Sequence, residues 1–177
     1  MMGSAAVRRS LAAVTGRFQP VHDQHLELFA YALERHDALV VAVTNPDRGA
    51  RRREVTSDHR HTDAANPFTY YERVRLLTAA LQGAGLADRA VVVPFDLTRP
   101  QVWPDYVPPH AVHYVRAYSA WEKDKAAQLA AGGYAVTVVD GDPTTKLDAT
   151  DIRAAFDDGS WVGLVPPSIV PLLRELL

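Results

Sequence analysis

The sequence contains no cysteine. Disulfide frameworks, thiolate nucleophiles and zinc or iron–sulfur sites built on cysteine are therefore excluded. The sequence also lacks any apolar run close to the ~20 residues that a membrane-spanning helix needs. Near the start, Arg17 and the turn-like sequence after it come too early for a secretory signal peptide. We therefore expect a cytoplasmic protein with no membrane-embedded part.

Neither sign of charge is in excess. The chain has 19 Lys and Arg against 21 Asp and Glu, a net charge of −2 with neutral histidines. This balance provides no field that would attract nucleic acid or an anionic membrane, and both partners are disfavoured. Hydrophobic residues make up 47% of the 177 positions, which is enough for one domain, residues 1–177, with its own core.

Five short apolar runs rich in valine predict the strands. They do not alternate with polar residues, which is typical of strands buried on both faces of a parallel sheet. Segments with helical periodicity separate them. The runs are residues 11–15, 38–44, 90–95, 111–115 and 134–139, and the helical segments are 25–35, 71–81, 121–131, 150–156 and 167–177. The pattern predicts an α/β fold: a Rossmann-like, doubly wound, five-stranded parallel sheet with helices on both faces.

A polar segment, residues 45–67, interrupts this alternation of strands and helices after the second predicted strand. It contains Arg51, Arg52 and Arg53, followed by His59, Arg60 and His61. A loop of this length in a compact domain is either functional or simply solvated. Because it follows the carboxyl end of a strand, where open α/β sheets bind ligands, both interpretations stay open.

The stretch from Gly16 to His25 lies between the first strand and the first helix. Its glycine permits a tight turn, and His22 and His25 are three residues apart at the start of the helix. The first backbone N–H groups of a helix and the positive end of its dipole point to the same place, which favours an anion. Both imidazoles can face one bound phosphate, and the stretch predicts a phosphate site.

This stretch, GRFQPVHDQH, resembles the GRFQPxHxGH signature of the nucleotidylyltransferase superfamily, in its archaeal-type nicotinamide mononucleotide adenylyltransferase branch. Three further segments resemble that branch and follow in the family's order, over nearly the whole chain. They are Asn66-Pro67-Phe68-Thr69 with Glu72-Arg73, the LDATDIR segment at 147–153, and the WVGLVPP segment at 161–167.

The resemblance implies a reaction in which a nucleoside triphosphate gives its nucleoside monophosphate to a phosphate- or phosphonate-type acceptor, and pyrophosphate leaves. Such enzymes position an in-line attack and form no covalent intermediate. The resemblance also implies Mg²⁺ that bridges the phosphates with few protein ligands, so no residue is predicted to be a metal ligand. It is compatible with a homo-oligomer, and the sequence leaves the oligomeric state open.

By the same resemblance, the catalytic residues are His22, His25 and Arg153, and His25 stabilises charge at the α-phosphate. The residues predicted to bind the nucleotide are Gly16, Arg17, Phe18, Gln24, Arg116, Asp148 and Thr150. Thr150 and Arg153 would hold the departing phosphates. Purely structural roles are the alternatives for some residues. They are a helix cap for Thr150, an ion pair with Asp157 for Arg153, and core packing for Phe18 and Trp161.

Three departures from the family pattern concern the acceptor. Gln24 replaces a glycine and adds a side chain where a nucleotide approaches the backbone, and Asp148 replaces a serine beside the triphosphate. Asp148 would turn away, bind the cation or pair with Lys146. The third departure is the 45–67 segment, where Asn45, Arg51, Arg52 and Arg53 are predicted to bind a compact, multiply charged acceptor, because arginine binds such anions bidentately.

The start of the predicted helix at 121–131 adds charged residues. Arg116, just before it, is the favoured ligand of an acidic substrate. Lys123 and Lys125 are two residues apart on a helix and cannot both face the same way. Glu122, Asp124 and Lys125 are interpreted as a solvated helix start.

Two substrate pairs therefore stay open: ATP with nicotinamide mononucleotide, and CTP with a small phosphonate of specialised metabolism. A nucleotide-binding module without catalysis is the alternative of another class.

Overall fold

The five apolar runs form one parallel sheet in the order β3-β2-β1-β4-β5. The computed structural model describes residues 9–51 and 62–177. The strands are β1 (Leu11–Gly16), β2 (Ala38–Val43), β3 (Ala90–Pro94), β4 (Val112–Ala117) and β5 (Ala135–Asp140). The chain reverses its direction of travel across the sheet between β3 and β4. The predicted doubly wound, Rossmann-like fold is therefore confirmed, with its switch point between β1 and β4.

All the helices predicted from periodicity are present, with bounds shifted by a few residues. They are α1 (Asp23–Leu33), α2 (Tyr70–Gly83), α4 (Ala120–Ala131), α5 (Ala149–Ala154) and α6 (Val170–Leu176), and the last follows a 3₁₀ turn at Pro167–Ile169. A short α3 (Trp103–Tyr106) was not predicted, since four residues carry too little periodicity. Among the described residues, no helix is long and apolar enough to cross a bilayer.

The ends of two helices are set by residues in their immediate neighbourhood. Thr69 and Glu72 form a capping box: the Thr69 hydroxyl accepts from the Glu72 N–H at 3.2 Å, and the Glu72 carboxylate accepts from the Thr69 N–H at 2.8 Å. Gly132 and Gly133 end α4, and Gly133 has a φ of 98°, in the left-handed region that favours glycine.

Helices cover both faces of the sheet and divide the core in two. On one face, α1, α2, α5 and α6 bury residues such as Phe29, Leu76 and Ile152. On the other face, α3 and α4 bury Trp103 and Leu129. Side chains of α1 and α4, which lie on opposite faces, both reach the carboxyl ends of β1 and β4.

Candidate active site

A cavity opens at the carboxyl ends of β1 and β4, where the two strands separate. It is bounded by the β1–α1 turn, the start of α4 and the segment that leads into α5. Most of the nucleotide-site residues predicted from the sequence line it: Gly16, Arg17, Phe18, His22, Gln24, His25, Arg116, Asp148 and Arg153. The structure therefore brings together residues that are up to 137 positions apart, as Gly16 and Arg153 are.

The two histidines form a stacked pair at the start of α1. Their ring centroids are 3.6 Å apart with an interplanar angle of 19°. The backbone N–H of His22 donates to Nδ1 of His25 at 3.1 Å, and the edge of the Phe18 ring supports the His25 imidazole at 4.8 Å. Because Nδ1 of His25 accepts this bond, the proton of the neutral imidazole is on Nε2. His25 is thereby oriented as a hydrogen-bond donor.

Neither imidazole carries a charge at neutral pH. Burial lowers the pKa of His22 to about 4, against the opposing influence of the Asp148 carboxylate. Burial, the neighbouring His22 and the ammonium of Lys125 hold the pKa of His25 well below its usual range. The pair therefore offers N–H donors to a phosphate, and positive charge at the site comes from arginine and lysine side chains.

The turn before α1 depends on close packing at Gly16. A Cβ at Gly16 would lie 2.9 Å from the Phe18 ring, which occupies that space. Phe18 has a φ of 52° and is 2% exposed. Its burial agrees with the packing role foreseen for it, its ring packs against His25, and its contact with a nucleotide stays a prediction. Trp161 is 4% exposed, so its predicted place in the core is confirmed.

The GRFQP and NPFT segments are joined by one buried side chain. The Gln19 amide donates to the Phe68 carbonyl and accepts from the Phe68 N–H, both at 3.0 Å. Such a paired exchange with a peptide group satisfies both polar ends of a glutamine that is 1% exposed. The two motifs thus form one structural unit, and Gln19 of this unit lines the cavity.

Arg73 is a structural residue of this unit that the sequence indicated only as part of a motif. Its fully buried guanidinium donates to the carbonyls of Arg17, Thr44 and Asn45 at 2.7–2.9 Å. Burial lowers its pKa to about 10, and it stays charged at neutral pH. Arg73 therefore fixes the chain beyond the ends of β1 and β2. The guanidinium of Arg17 donates to the Ala65 carbonyl at 3.2 Å.

Gln24, which replaces the family's glycine, lines the cavity and is also hydrogen-bonded to the segment before α5. Its amide nitrogen donates to the Thr145 carbonyl at 2.7 Å, and its oxygen accepts from the Leu147 N–H at 2.7 Å and from the Tyr118 hydroxyl at 3.2 Å. The side chain is turned towards the segment that precedes α5. Gln24 thus forms a tie between α1 and this segment, and its predicted contact with a nucleotide stays a prediction.

Asp148, rather than Thr150, caps α5. Its carboxylate accepts from the Thr150 N–H at 2.9 Å. Burial acts to raise the pKa of Asp148, but this hydrogen bond and the charges of Lys146 and Arg153 lower it overall. Arg153 donates to the Gln19 carbonyl at 2.9 Å and to the Thr150 hydroxyl at 3.1 Å. Thr150 and Arg153 are thereby joined beside the cavity.

The interpretation of Glu122 and Lys125 as a solvated helix start is wrong. Glu122 is 7% exposed and accepts from Lys146 at 3.1 Å, while Lys125 extends into the cavity and donates to the Thr15 carbonyl at 2.6 Å. Lys123 and Asp124 are exposed. A signal was present, because Glu122, Lys125 and the buried Leu129 recur at helical spacing on one face.

Two of the predicted acceptor residues, Asn45 and Arg51, belong to the part of the chain that the structure describes, and neither lines this cavity. Asn45 follows β2 with a φ of 47°, and its carbonyl is held by Arg73. Arg51 lines a second, open cavity near the start of α2 and pairs with Asp63 at 3.2 Å. Arg52 and Arg53, like His59, Arg60 and His61, lie outside the described residues. Their role in binding an acceptor stays a prediction.

The residues at the site fit a magnesium ion that arrives with the triphosphate. Within residues 9–51 and 62–177, no group of three His, Asp or Glu side chains is arranged to hold a metal. The carboxylate of Asp148 lines the cavity beside Arg153, and carboxylate oxygen is a ligand that magnesium accepts alongside phosphate and water.

Comparison with known proteins agrees with this geometry. A family model described as cytidylyltransferase-like matches residues 13–172. The phosphonoformate cytidylyltransferase of Streptomyces viridochromogenes is 33% identical over 164 residues, which covers 92% of this chain and 89% of that protein. The nicotinamide-nucleotide adenylyltransferase of Thermococcus onnurineus is 29% identical over 164 residues, which covers 91% and 80%.

A solved structure shows the same fold. The bifunctional NMN adenylyltransferase/ADP ribose pyrophosphatase from Francisella tularensis superposes with a TM-score of 0.60 at 19% identity. This match covers 90% of the present chain but only 44% of that longer protein. A second structure of the Francisella protein is complexed with AMP and a manganese ion.

Proposed function

The chain belongs to the cytidylyltransferase-like family and is a nucleotidyltransferase, and we propose that it transfers a cytidylyl group from CTP to a small phosphonate, with release of pyrophosphate. The observation that carries this proposal is the concentration of positive charge in the cavity. Its cationic side chains come from the β1–α1 turn, the β4–α4 region and the α5 region: Arg17, Arg116, Lys125, Lys146 and Arg153. Such charge suits a triphosphate and a second, compact anion together.

In the proposed reaction, an oxygen of the acceptor forms a bond to the α-phosphorus of the triphosphate. The bond from that phosphorus to the α–β bridging oxygen breaks, and pyrophosphate leaves with the electron pair. Nε2–H of His25 donates to a non-bridging α-phosphate oxygen. The joined pair of Thr150 and Arg153 holds the departing phosphates. Magnesium, when bound with the triphosphate, neutralises part of its charge.

Adenylyl transfer from ATP to nicotinamide mononucleotide is the second candidate. It is favoured by the Gln19–Phe68 pair, because this pair joins the two segments that resemble the archaeal adenylyltransferase branch. A nucleotide-binding module without catalysis is disfavoured, since His22, His25 and Arg153 are all present at one cavity.

Pyrophosphate release by the purified protein with magnesium distinguishes these functions. ATP, CTP, GTP and UTP are each combined with nicotinamide mononucleotide and with a phosphonate panel that includes phosphonoformate. We expect turnover with CTP and a phosphonate. Turnover confined to ATP and nicotinamide mononucleotide would establish the second candidate instead, and binding of a triphosphate without turnover in any combination would establish the module.

A further inference from the structure

The hydrogen-bonded pairing between β1 and β4 covers only the first part of the two strands. β1 pairs with β4 only at Ala12–Val112 and Ala13–His113, whereas its pairing with β2 continues to Gly16. Beyond Ala13 the strands separate and the cavity begins. In this gap, the carbonyl of Thr15 accepts a hydrogen bond of 2.6 Å from Nζ of Lys125. The ammonium of Lys125 therefore lies where β1 and β4 are no longer paired with each other.

Lys125 reaches the gap from the face of the sheet opposite to the histidines. It belongs to α4, which packs on the face of Trp103 and Leu129, while His25 belongs to α1 on the other face. Both side chains line the same cavity, and the charge of Lys125 contributes to the lowered pKa of His25. The ammonium of Lys125 and the imidazole N–H of His25 thus reach the same cavity from opposite faces of the sheet.

Two further cations that line this cavity, Arg116 and Lys146, are paired with carboxylates. Arg116 pairs with Glu27 at 3.1 Å, and Lys146 pairs with Glu122 at 3.1 Å. The ammonium of Lys125 lies at the Thr15 carbonyl, close to the turn that leads to the histidines. Its position is the one expected of a cation that meets the centre of a bound triphosphate rather than its ends.

We propose that Lys125 is a catalytic residue whose ammonium binds a non-bridging oxygen of the reacting α-phosphoryl group, on the side opposite to His25. This inference rests on the proposed function. In phosphoryl transfer, negative charge is spread over the equatorial oxygens of the transition state, where a fixed cation stabilises it. Lys125 remains protonated throughout. The bond to the acceptor oxygen forms and the bond to pyrophosphate breaks without a proton passing through the lysine.

The absence of cysteine makes a direct test of this charge possible. Lys125→Cys introduces the single thiol of the chain. Alkylation with 2-bromoethylamine then restores a side chain of nearly lysine length with an ammonium, and alkylation with iodoacetamide gives a neutral side chain of similar size. We expect Lys125→Cys to lower kcat by about 10²–10³, with both KM values within a few-fold of the wild type. Aminoethylation should recover most of this loss, and the neutral adduct should recover none.

The matched control is Lys123→Cys, two residues away on the exposed side of α4. It should keep wild-type kcat before and after either alkylation. Circular dichroism and the thermal midpoint of each variant verify folding, and Lys125→Met provides a second neutral side chain if the cysteine variant does not fold.

Three results would overturn the assignment: wild-type kcat in Lys125→Cys, equal recovery by the charged and neutral adducts, or a loss confined to the acceptor's KM. Wild-type protein without turnover in any substrate combination would overturn the proposed function as well. An active wild type with an active Lys125→Cys variant would overturn only the present inference.

Discussion

The side-chain oxygen of Gln24 accepts a hydrogen bond of 2.7 Å from the backbone N–H of Leu147, 123 positions later in the chain. The amide nitrogen of the same side chain donates to the Thr145 carbonyl at 2.7 Å. The peptide groups on both sides of Lys146 are therefore held by α1. A residue that departs from the family's glycine has become the link between the histidine pair and the segment that leads to Thr150 and Arg153.

Replacement of Gln24 by Gly should loosen that segment. Two hydrogen bonds to backbone are lost, at about 0.5–1.5 kcal/mol each. A loss of about 1.4 kcal/mol in binding free energy corresponds to a tenfold loss of affinity. We therefore expect the KM of the nucleoside triphosphate to rise by about tenfold, with little change in kcat. Steady-state kinetics with a saturating acceptor measures this effect. Amide hydrogen exchange at Leu147, recorded without substrates, should become faster.

Gln24→Glu serves as the graded control for this prediction. It retains an oxygen that can accept from Leu147 but loses the donor to Thr145, and we expect an intermediate rate of exchange. Unchanged exchange at Leu147 in Gln24→Gly would contradict the proposed tie.

The second prediction concerns His25. Its Nε2–H is oriented by the bond from the His22 backbone to Nδ1, and Ala at this position removes the donor aimed into the cavity. We expect His25→Ala to fold normally and to lower the rate of pyrophosphate release by about 10²–10³. Near-normal turnover by a variant with a wild-type circular dichroism spectrum would show that the imidazole has no part in the chemistry.

The third prediction concerns the arginines after β2. Replacement of Arg51, Arg52 and Arg53 together by Ala should raise the KM of the acceptor and leave triphosphate binding unchanged. The physical reason is the loss of bidentate donors to a compact anion. Arg75→Ala is the control, because Arg75 forms an exposed ion pair with Glu175. If neither the acceptor's KM nor triphosphate binding responds, these arginines take no part in binding substrates.

The sequence predicted the strands and the histidine pair because their signals are local. Valine-rich runs act over a few residues and form strands where expected, and the capping box of Thr69 and Glu72 is equally local. The directions of Gln24 and Lys125 depend instead on segments more than 100 positions away, at Thr145 and Thr15. The sequence indicated that Lys123 and Lys125 cannot both face the same way and assigned Lys125 to solvent, but the packing of α4 on the sheet decides which of them reaches the site.

The last prediction concerns the stability of the fold at low pH and centres on His113. This residue of β4 is fully buried, and neither ring nitrogen has a hydrogen-bond partner among the described residues. Its ring meets Tyr134 edge-on at 4.6 Å. Burial, with a smaller contribution from the charge of Lys125, lowers the pKa of His113 to about 3.

The sign of the pH effect follows from this shift. As the pH falls below about 6.5, the unfolded chain binds a proton at position 113 and the folded chain does not, so the free energy of unfolding decreases. The decrease is at most about 1.4 kcal/mol per pH unit and continues towards pH 3. His22 and His25 act in the same direction, because burial lowers their pKa values too. The contribution of His113 is therefore the difference between the wild type and a variant that lacks it.

His113→Leu removes two ring nitrogens that are buried without partners, and the cost of leaving such groups unsatisfied is about 1–3 kcal/mol. We therefore expect this variant to be more stable than the wild type at pH 7.5, and the advantage should grow as the pH falls from 6.5 to 4.5. Urea unfolding at four pH values measures both effects. His110→Ala is the control for loss of an exposed imidazole and should change stability at pH 7.5 by no more than about 0.5 kcal/mol. An advantage of His113→Leu that stays constant with pH would mean that His113 takes up its proton as readily in the folded protein as in the unfolded chain.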